Sequence, residues 1–124
     1  MTSTRPLENI CFGTFALPQK LDGNMWAFIA IDVHSKFVFL LDICQDVNKE
    51  SILLNIEMLL KDEEFTKQKN GNFNLIFTSN YFEFKSEIDD RLRLDGGASY
   101  FDNEVVLKEL NPVIKELYAS FEKQ

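Results

Sequence analysis

The chain has 124 residues, of which 45% are hydrophobic and 12 are Phe, and its formal net charge is −7. This length and apolar content predict one folded domain over residues 1–124, with a loose start over residues 1–7. Neutralising phosphates supplies most of the non-specific affinity for DNA, so the acidic charge predicts weak or absent DNA binding by the isolated domain.

The sequence pattern argues against a membrane span and against a zinc site. No apolar run approaches the ~20 residues that a spanning helix requires, so we expect a cytoplasmic protein without a membrane partner. Cys11 and Cys44 are the only cysteines, and there is one histidine. Neither cysteine has a zinc-binding spacing and both lie in apolar runs, so we expect reduced, buried thiols.

Three β-strands are predicted in the first third of the chain, over Glu8–Phe15, Met25–Ile31 and Phe37–Ile43. The second run is almost continuously apolar, which is typical of a central strand buried on both faces. The connectors, one of them a turn at Asp22-Gly23-Asn24, are too short for a parallel crossover. An antiparallel meander is therefore expected.

A helix and a fourth strand are predicted next. Apolar residues recur at helical spacing from Ile52 to Leu60, and Asp46 or Asn48 could supply the N-cap. The stretch 61–72 is charged and rich in turn residues, which predicts a surface loop. Phe73–Thr78 has the composition of a strand.

The last third of the chain gives weaker signals. Residues 81–92 fit a short helix or a helical turn, and residues 93–99 fit an irregular segment or a short strand followed by a Gly-Gly turn. Asp102 can cap a helix over Asn103–Leu110. The pair Asn111-Pro112 is a restart signal for a further helix, with a capping Asn and then Pro at the first helical position.

This order of elements predicts an α/β fold. A strand–helix–strand step after a meander implies a parallel pair of strands. We expect a mixed five-stranded sheet, three antiparallel strands followed by parallel ones, with flanking helices. Ribonuclease-H-like domains have this order, although a fold of this kind hosts many functions.

The segment Trp26–Phe39 carries the most specific pattern in the chain. An apolar strand is followed by Ile-Asp-x-x-Ser-Lys, with Asp32, Ser35 and Lys36 at the polar positions, and then by another apolar strand. Residues 75–80 (LIFTSN) look like the end of a later strand in the same kind of domain. The chain thereby resembles the catalytic core of integrases and transposases, the Asp-Asp-Glu recombinases of the ribonuclease-H-like superfamily.

The resemblance implies metal-assisted phosphoryl transfer, in which two Asp and one Glu hold two Mg²⁺ ions. The first Asp position falls on Gly13, counted back from Pro18, and the second falls on Asn80. The third falls on Lys115, or on Leu107 in an alternative register. Since glycine, an amide and an ammonium group would replace the acids, we expect that neither Mg²⁺ nor another cofactor is bound.

A competing register places the second Asp at Asp95. Asp95-Gly96-Gly97-Ala98-Ser99-Tyr100 resembles the family's Asp-x-Gly-x-x-Tyr motif, although it would make residues 61–90 an insertion and leave the chain ending before the Glu helix. Asp32 is the other alternative acid, either a surviving metal ligand or a structural residue at a strand end. Neither register supplies three acids.

Three hypotheses for function follow. The leading one is an integrase- or transposase-core-like domain, related to DNA integration and transposition, that has lost catalysis and is a mobile-element remnant or a binding or assembly module. Such cores commonly associate, so the resemblance also implies a homodimer. The alternatives are an active metal-dependent nuclease or recombinase that uses Asp32 and Asp95, and an unrelated acidic protein-interaction module.

Overall fold

A computed structural model of the chain describes residue 3 and residues 5–17 and 25–122, with side chains up to residue 120. The strands are β1 (Asn9–Ala16), β2 (Trp26–Asp32), β3 (Val38–Cys44), β4 (Phe73–Phe77) and β5 (Gly97–Phe101). The helices are α1 (Lys49–Leu60), α2 (Glu63–Gln68), a 3-10 helix (Ser79–Phe84), α3 (Lys85–Arg93) and α4 (Asn103–Glu122). The predicted turn at residues 22–24 lies outside the described residues.

The five strands form one mixed sheet in the order β3-β2-β1-β4-β5. β1 and β3 each pair with β2 in the antiparallel sense, whereas β4 is parallel to both β1 and β5. In this register Ile10 of β1 lies between Asp32 of β2 and Leu75 of β4. The predicted α/β class and its three antiparallel and two parallel strands are confirmed, and the strand order is consistent with a ribonuclease-H-like topology.

Helices cover both faces of the sheet. Residues of α1, α2 and α3 pack with Phe12 and Phe28 on one face, and α4 packs with Cys11 and Ile29 on the other. Alternate side chains of each strand therefore enter different cores, which explains why β2 is apolar almost throughout. Residues 1, 2 and 4 of the expected loose start lie outside the described residues, but Leu7 is buried.

The caps of two helices agree with the sequence. The Asn48 side chain accepts a hydrogen bond from the Ser51 amide at 2.9 Å, and the Ser51 hydroxyl accepts one from the Asn48 amide at 2.9 Å. This reciprocal pair is a capping box, which selects Asn48 rather than Asp46 as the cap of α1. Asp102 caps α4 by accepting from the Val105 amide at 3.2 Å.

The surface loop predicted over residues 61–72 is wrong in part, because it contains α2. Asp62 starts this helix by accepting hydrogen bonds from the amides of Glu64 and Phe65 at 2.9 and 3.1 Å. Phe65 is buried, with its ring centroid 5.3 Å from that of Phe73. Phe65 is the only buried residue of α2, so the segment has no apolar repeat that would reveal a helix.

The restart predicted at Asn111-Pro112 is also wrong, since α4 runs without interruption from Asn103 to Glu122. Pro112 lies inside the helix, where it cannot donate the usual hydrogen bond to the carbonyl of Lys108. Both residues are exposed, so water can reach that carbonyl. Apolar residues on both sides of Pro112, buried before it and partly buried after it, pack on the same face of the sheet, and this packing keeps the helix continuous.

Two ambiguous segments also have defined structures. Residues 79–93 form the 3-10 helix followed by α3, and β5 begins at Gly97. The Gly-Gly pair therefore lies at the start of the last strand, with Gly96 just before it and Gly97 as its first residue. Gly96 has a φ of 79°, a left-handed conformation that suits glycine at this turn. Within the described residues, no helix is long and apolar enough to span a membrane.

Candidate functional site

The sheet has two ends that differ in chemistry. β1, β4 and β5 begin at one end, which we call the amino edge, and finish at the other, the carboxyl edge. In open α/β sheets ligands bind beyond the carboxyl ends of strands, at the point where successive strands are added on opposite sides. That point lies between β1 and β4, because β2 and β3 lie on one side of it and β5 on the other.

A cleft of about 330 Å³ lies at this point, between the carboxyl ends of β1 and β4 and the helix α4. We call it the carboxyl-edge cleft. Every described residue that lines it is uncharged, and among them are three of the positions that the resemblance singles out: Gly13, Asn80 and Leu107. The fold therefore brings these positions together without bringing carboxylates together.

Gly13 lies in β1 opposite Ile29, and α4 packs directly on its backbone. A Cβ atom at this position would lie 2.4 Å from Cδ1 of Leu110, which is closer than two carbon atoms approach. Leu110 itself is buried, so it has little free space to move into. Glycine thus allows the helix to lie close to the sheet where the resemblance would require an Asp side chain.

Asn80 lies just beyond the end of β4, in an exposed position on the 3-10 helix. Its side-chain oxygen accepts a hydrogen bond from the Thr78 hydroxyl. The neighbouring Ser79 amide donates to Asn103 Oδ1 at 2.7 Å, and Asn103 Nδ2 donates to the Ser79 hydroxyl at 3.2 Å. These contacts tie the end of β4 to the start of α4 and fix where Asn80 stands.

The two candidates for the third position have different surroundings. Leu107 lines the carboxyl-edge cleft and is 49% exposed, and one turn further along α4 Asn111 also lines it. Lys115 is an exposed residue of α4 outside the lining of this cleft. The alternative register, with Leu107, is therefore the one whose residue lies beside Gly13 and Asn80.

Asp32 lies at the amino edge, where it is fully buried and acts as a hydrogen-bond acceptor for the turn that follows β2. Its carboxylate accepts from the Ser35 hydroxyl at 2.7 Å and from the His34 amide at 3.2 Å. It also accepts from the Leu7 amide at 3.1 Å, which holds the N-terminal segment against the sheet. These donors occupy both oxygens of Asp32, so the arrangement is that of a structural residue.

The other polar residues of the Asp-x-x-Ser-Lys pattern also close this turn. The Ser35 hydroxyl accepts from the Phe37 amide at 3.2 Å while it donates to Asp32. Lys36 reaches across to α4, where its Nζ donates to both carboxylate oxygens of Glu109 at 2.8 and 2.9 Å. The pattern on which the resemblance depends most therefore builds a hairpin and fastens it to a helix.

Asp95 also lies at the amino edge, in the turn before β5. Its Oδ2 accepts from Arg91 Nη1 at 2.6 Å, and its carbonyl accepts from Lys69 Nζ at 2.7 Å. With three strand spacings between β2 and β5, Asp95 lies on the order of 14 Å from Asp32. One metal ion cannot bridge the two, and within residues 3, 5–17 and 25–122 no three His, Cys, Asp or Glu residues are grouped to hold one.

Arg91 links two carboxylates at the amino edge. Besides Asp95 it donates from Nη2 to Glu57 Oε1 at 2.8 Å, with a second hydrogen bond from Nε to Glu57 Oε2. This bidentate contact lowers the pKa of Glu57 to about 2, against an opposing effect of desolvation, and Lys61 contributes to the lowering. The pKa of Arg91 is raised by the same contacts. Both groups therefore remain charged at neutral pH.

Two side chains with nucleophilic atoms near the cleft are held in their neutral forms. Burial raises the pKa of the Cys11 thiol to about 12, and the buried Tyr81 also has a raised pKa. The Tyr81 hydroxyl forms a 2.9 Å hydrogen bond with the Thr14 hydroxyl. Neither group is activated for attack, since a nucleophile needs a lowered pKa or an adjacent base.

A second cavity adjoins the carboxyl-edge cleft and was not predicted from the sequence. It measures about 510 Å³ and shares Thr14, Trp26, Asn80 and Tyr81 with the cleft. Trp26 is 36% exposed at the start of β2. The sequence shows a single Trp at the first position of an apolar strand, which is a signal for a partly exposed aromatic residue at the edge of a sheet. That Trp26 lies near Asn80 follows only from the pairing of the strands.

Comparisons with known proteins add no identification. The chain matches no protein-family model, and no curated protein is significantly similar to it. The structure therefore defines a class, an α/β domain whose topology is compatible with that of ribonuclease-H-like proteins. The side chains at the two edges of the sheet are the features of this domain that bear on its function.

Proposed function

We propose that this chain is an integrase- or transposase-core-like domain that has lost catalysis and serves as a binding or assembly module. One observation carries the proposal: among the residues that the structure describes, those that line the cleft at the carboxyl ends of β1 and β4 are all uncharged. The positions that the resemblance marks for metal-binding acids are Gly13, Asn80 and either Lys115 or Leu107, and of the last two only Leu107 is among the residues that line the cleft. The two alternative acids, Asp32 and Asp95, lie at the opposite edge of the sheet.

The donor set of the cleft does not fit the two Mg²⁺ ions of the related enzymes. Mg²⁺ is a hard cation that is held by carboxylates, and an amide such as Asn80 offers only a neutral carbonyl oxygen. Leu107 offers no ligand atom, and Leu110 occupies the space that a side chain at position 13 would need. We therefore derive no metal-dependent step for this protein.

The charges around the site also disfavour a nucleic-acid substrate. The adjoining cavity is bordered by Asp46 and Glu83, and within residues 5–17 and 25–120 no Lys or Arg lines it or the cleft. Phosphate groups brought to this surface would meet negative charge without neutralising partners. A binding role for a ligand other than DNA fits these charges better than a role in strand transfer.

The proposal is tested by calorimetric titration with Mn²⁺, together with a plasmid-nicking assay in Mn²⁺ and Mg²⁺. We expect no stoichiometric heat of binding and no nicking. Stoichiometric Mn²⁺ binding that is lost in Asp95→Asn but kept in Asp90→Asn would overturn the proposal in favour of an active nuclease. Asp90 is the matched control because it is an exposed Asp on the same helix–turn segment.

Assembly with a second copy of the chain is favoured by the exposed edge of β3. The Asp32 amide donates to the Phe37 carbonyl, so by alternation the main-chain groups of Val38 and Leu40 point away from β2. Leu40 is 66% exposed beside them. Two copies related by a two-fold axis could pair these strands antiparallel, with Val38 of one opposite Leu40 of the other.

The available edge is short, because the side chain of Asn55 accepts from the Asp42 amide at 3.0 Å and closes the strand beyond Leu41. Analytical ultracentrifugation tests this second role. We expect a dimer that becomes a monomer in Leu40→Asp but persists in Leu54→Asp, the same change at a leucine of α1 that is 53% exposed. A wild-type chain that is monomeric at high concentration would exclude the β3 edge as an assembly surface.

A further inference from the structure

The cavity next to the carboxyl-edge cleft has an aromatic and acidic lining, and we call it the Trp26 pocket. Its volume is about 510 Å³, and its lining includes the aromatic residues Trp26, Tyr81 and Phe84 and the acids Asp46 and Glu83. Among the described residues, none that lines it is Lys, Arg or His. The described lining thus combines π faces with negative charge.

The two acids of the Trp26 pocket are not used by the fold. Among the described residues neither Asp46 nor Glu83 is in an ion pair, although six such pairs form elsewhere. At the amino edge, in contrast, Asp32, Glu57 and Asp95 all accept hydrogen bonds from named partners. The carboxylates of the pocket are therefore available to a ligand without the loss of an internal contact.

We infer that the Trp26 pocket binds an organic cation, a guanidinium or alkylammonium group. A cation is attracted to the face of an aromatic ring, most strongly to that of Trp, and two nearby carboxylates add a Coulombic contribution. The inference rests on the proposed function only in that this domain binds a ligand and does not transform one. It adds the chemical class of that ligand.

Other ligand classes fit the pocket less well. An anion such as a phosphate would be repelled by Asp46 and Glu83, with no cation in the lining to offset them. A purely apolar ligand would remove water from both carboxylates without forming a hydrogen bond or an ion pair with them, which is unfavourable. The location agrees as well, because the pocket opens beyond the carboxyl ends of β1 and β4, where ligands bind in open α/β sheets.

The sole tryptophan of the chain provides the assay. Trp26 lines both this pocket and the adjoining cleft, so variants of Asp46 and Glu83, which line the pocket and not the cleft, assign the fluorescence change to the pocket. The protein is titrated with ethylguanidinium and with butylammonium, and the matched neutral probe is butanol. A short Gly-rich peptide with one central arginine is compared with the same peptide carrying citrulline, the uncharged isostere. If the small cations bind as tightly as the arginine peptide, the ligand is a small organic cation. If the peptide binds more tightly, the ligand is a basic segment of a protein.

Variants connect the fluorescence change to the pocket. Asp46→Asn and Glu83→Gln should each weaken cation binding about threefold, in the range of exposed charge pairs. Asn80→Asp adds a carboxylate to the lining and should tighten binding by about the same factor. Glu87→Gln is the matched control, because it removes one negative charge from α3 outside the pocket and should change nothing.

Two results would overturn the inference. One is equal affinity for the arginine and citrulline peptides, and the other is an equal effect of Glu83→Gln and Glu87→Gln. Neither result bears on whether the domain is an enzyme. Plasmid nicking with Mn²⁺ would instead overturn the proposed function and leave cation binding at the Trp26 pocket intact.

Discussion

The amino edge and the carboxyl edge of this sheet differ in whether their carboxylates form contacts within the fold. At the amino edge, Asp32 is buried and saturated with hydrogen bonds, and Glu57 and Asp95 share one arginine. At the carboxyl edge, the described residues that line the cleft between β1 and α4 are uncharged, and the acids of the adjoining pocket form no ion pair with another described residue. Carboxylates at one edge hold the fold together, whereas those at the other remain available.

This contrast shows that a pattern which resembles a family's motif can have a structural role. Asp32, Ser35 and Lys36 resemble the integrase core most closely, yet they close a turn and contact α4. Such contacts contribute to stability whether or not a metal is bound at the far end of the sheet. A pattern with a structural role is therefore weak support for catalysis, and mutations can measure the difference between the edges.

The largest effect is expected from adding an acid to the neutral edge. Gly13→Asp would place a carboxylate against Leu110 in a buried position without a cation partner, at a cost of about 4 kcal/mol of unfolding free energy. Urea denaturation measures it. Gly13→Ala separates the steric part, which should be about 2 kcal/mol and should shrink in a Leu110→Ala background. If excess Mg²⁺ restored the stability of Gly13→Asp, the cleft would be a latent metal site.

The second effect comes from removing an acid at the amino edge. Asp32→Ala should lower the free energy of unfolding by about 3 kcal/mol, because the buried Leu7 amide and the amides of the turn lose their acceptor. Urea denaturation again gives the value. Asp90→Ala, at a position whose side chain is 70% exposed, should change stability by less than about 0.5 kcal/mol. Similar losses in both variants would mean that Asp32 is not structural.

A smaller effect is expected at the contact between Glu57 and Arg91. The folded-state pKa of Glu57 lies at about 2, below its ordinary value of 4.5, so the contact stabilises the fold above pH 4.5 and this stabilisation is lost as the pH falls towards 2. Side-chain exposures of 31% and 24% allow solvent screening, so Glu57→Gln should cost about 1 kcal/mol at neutral pH. Chemical denaturation of both proteins between neutral and acidic pH tests it. A mutational difference that stays constant down to pH 2 would contradict this account.

The smallest effect is expected from Asn80→Asp at the carboxyl edge. Asn80 is exposed and its side-chain oxygen accepts from Thr78, a role that a carboxylate fills equally well. The free energy of unfolding should change by less than about 0.5 kcal/mol. Thermal denaturation compared with the wild type is sufficient. A decrease of more than about 1 kcal/mol in the free energy of unfolding would contradict the view that this exposed position tolerates a carboxylate.

Sequence patterns predicted most of the strands but not all of the helices. Apolar runs located β1 to β4 within one or two residues, because each run is bounded by polar or turn residues. α2 was missed since Phe65 alone anchors it, and the continuity of α4 through Pro112 was missed since local propensity opposes it. In both cases tertiary packing supplied a stabilisation that no local rule describes.

The candidate site was predictable only in part. The resemblance named Gly13, Asn80 and Lys115, with Leu107 as the alternative to Lys115. The parallel pairing of β1 with β4 and the packing of α4 on β1 bring Gly13, Asn80 and Leu107 to one cleft, whereas Lys115 is not among the residues that line it. The positions of Asp32 and Asp95 at the other edge could not be read from sequence, because they depend on strand direction and order. The Trp26 pocket depends on the same pairing, since it joins residues from β1, β2, the β3–α1 connection and the 3-10 helix.

The sequence by itself determined the acidic charge, the single tryptophan, the apolar strands and the absence of acids at the positions that the resemblance marks. Only the tertiary structure decided which polar residues face one another and which acids form hydrogen bonds or ion pairs within the fold. The local pattern of apolar and polar side chains indicates which residues of an element are buried, but it does not indicate which distant residues lie beside them. The edge of a sheet at which a residue lies is set by how distant strands pair, and that pairing is a property of the whole chain.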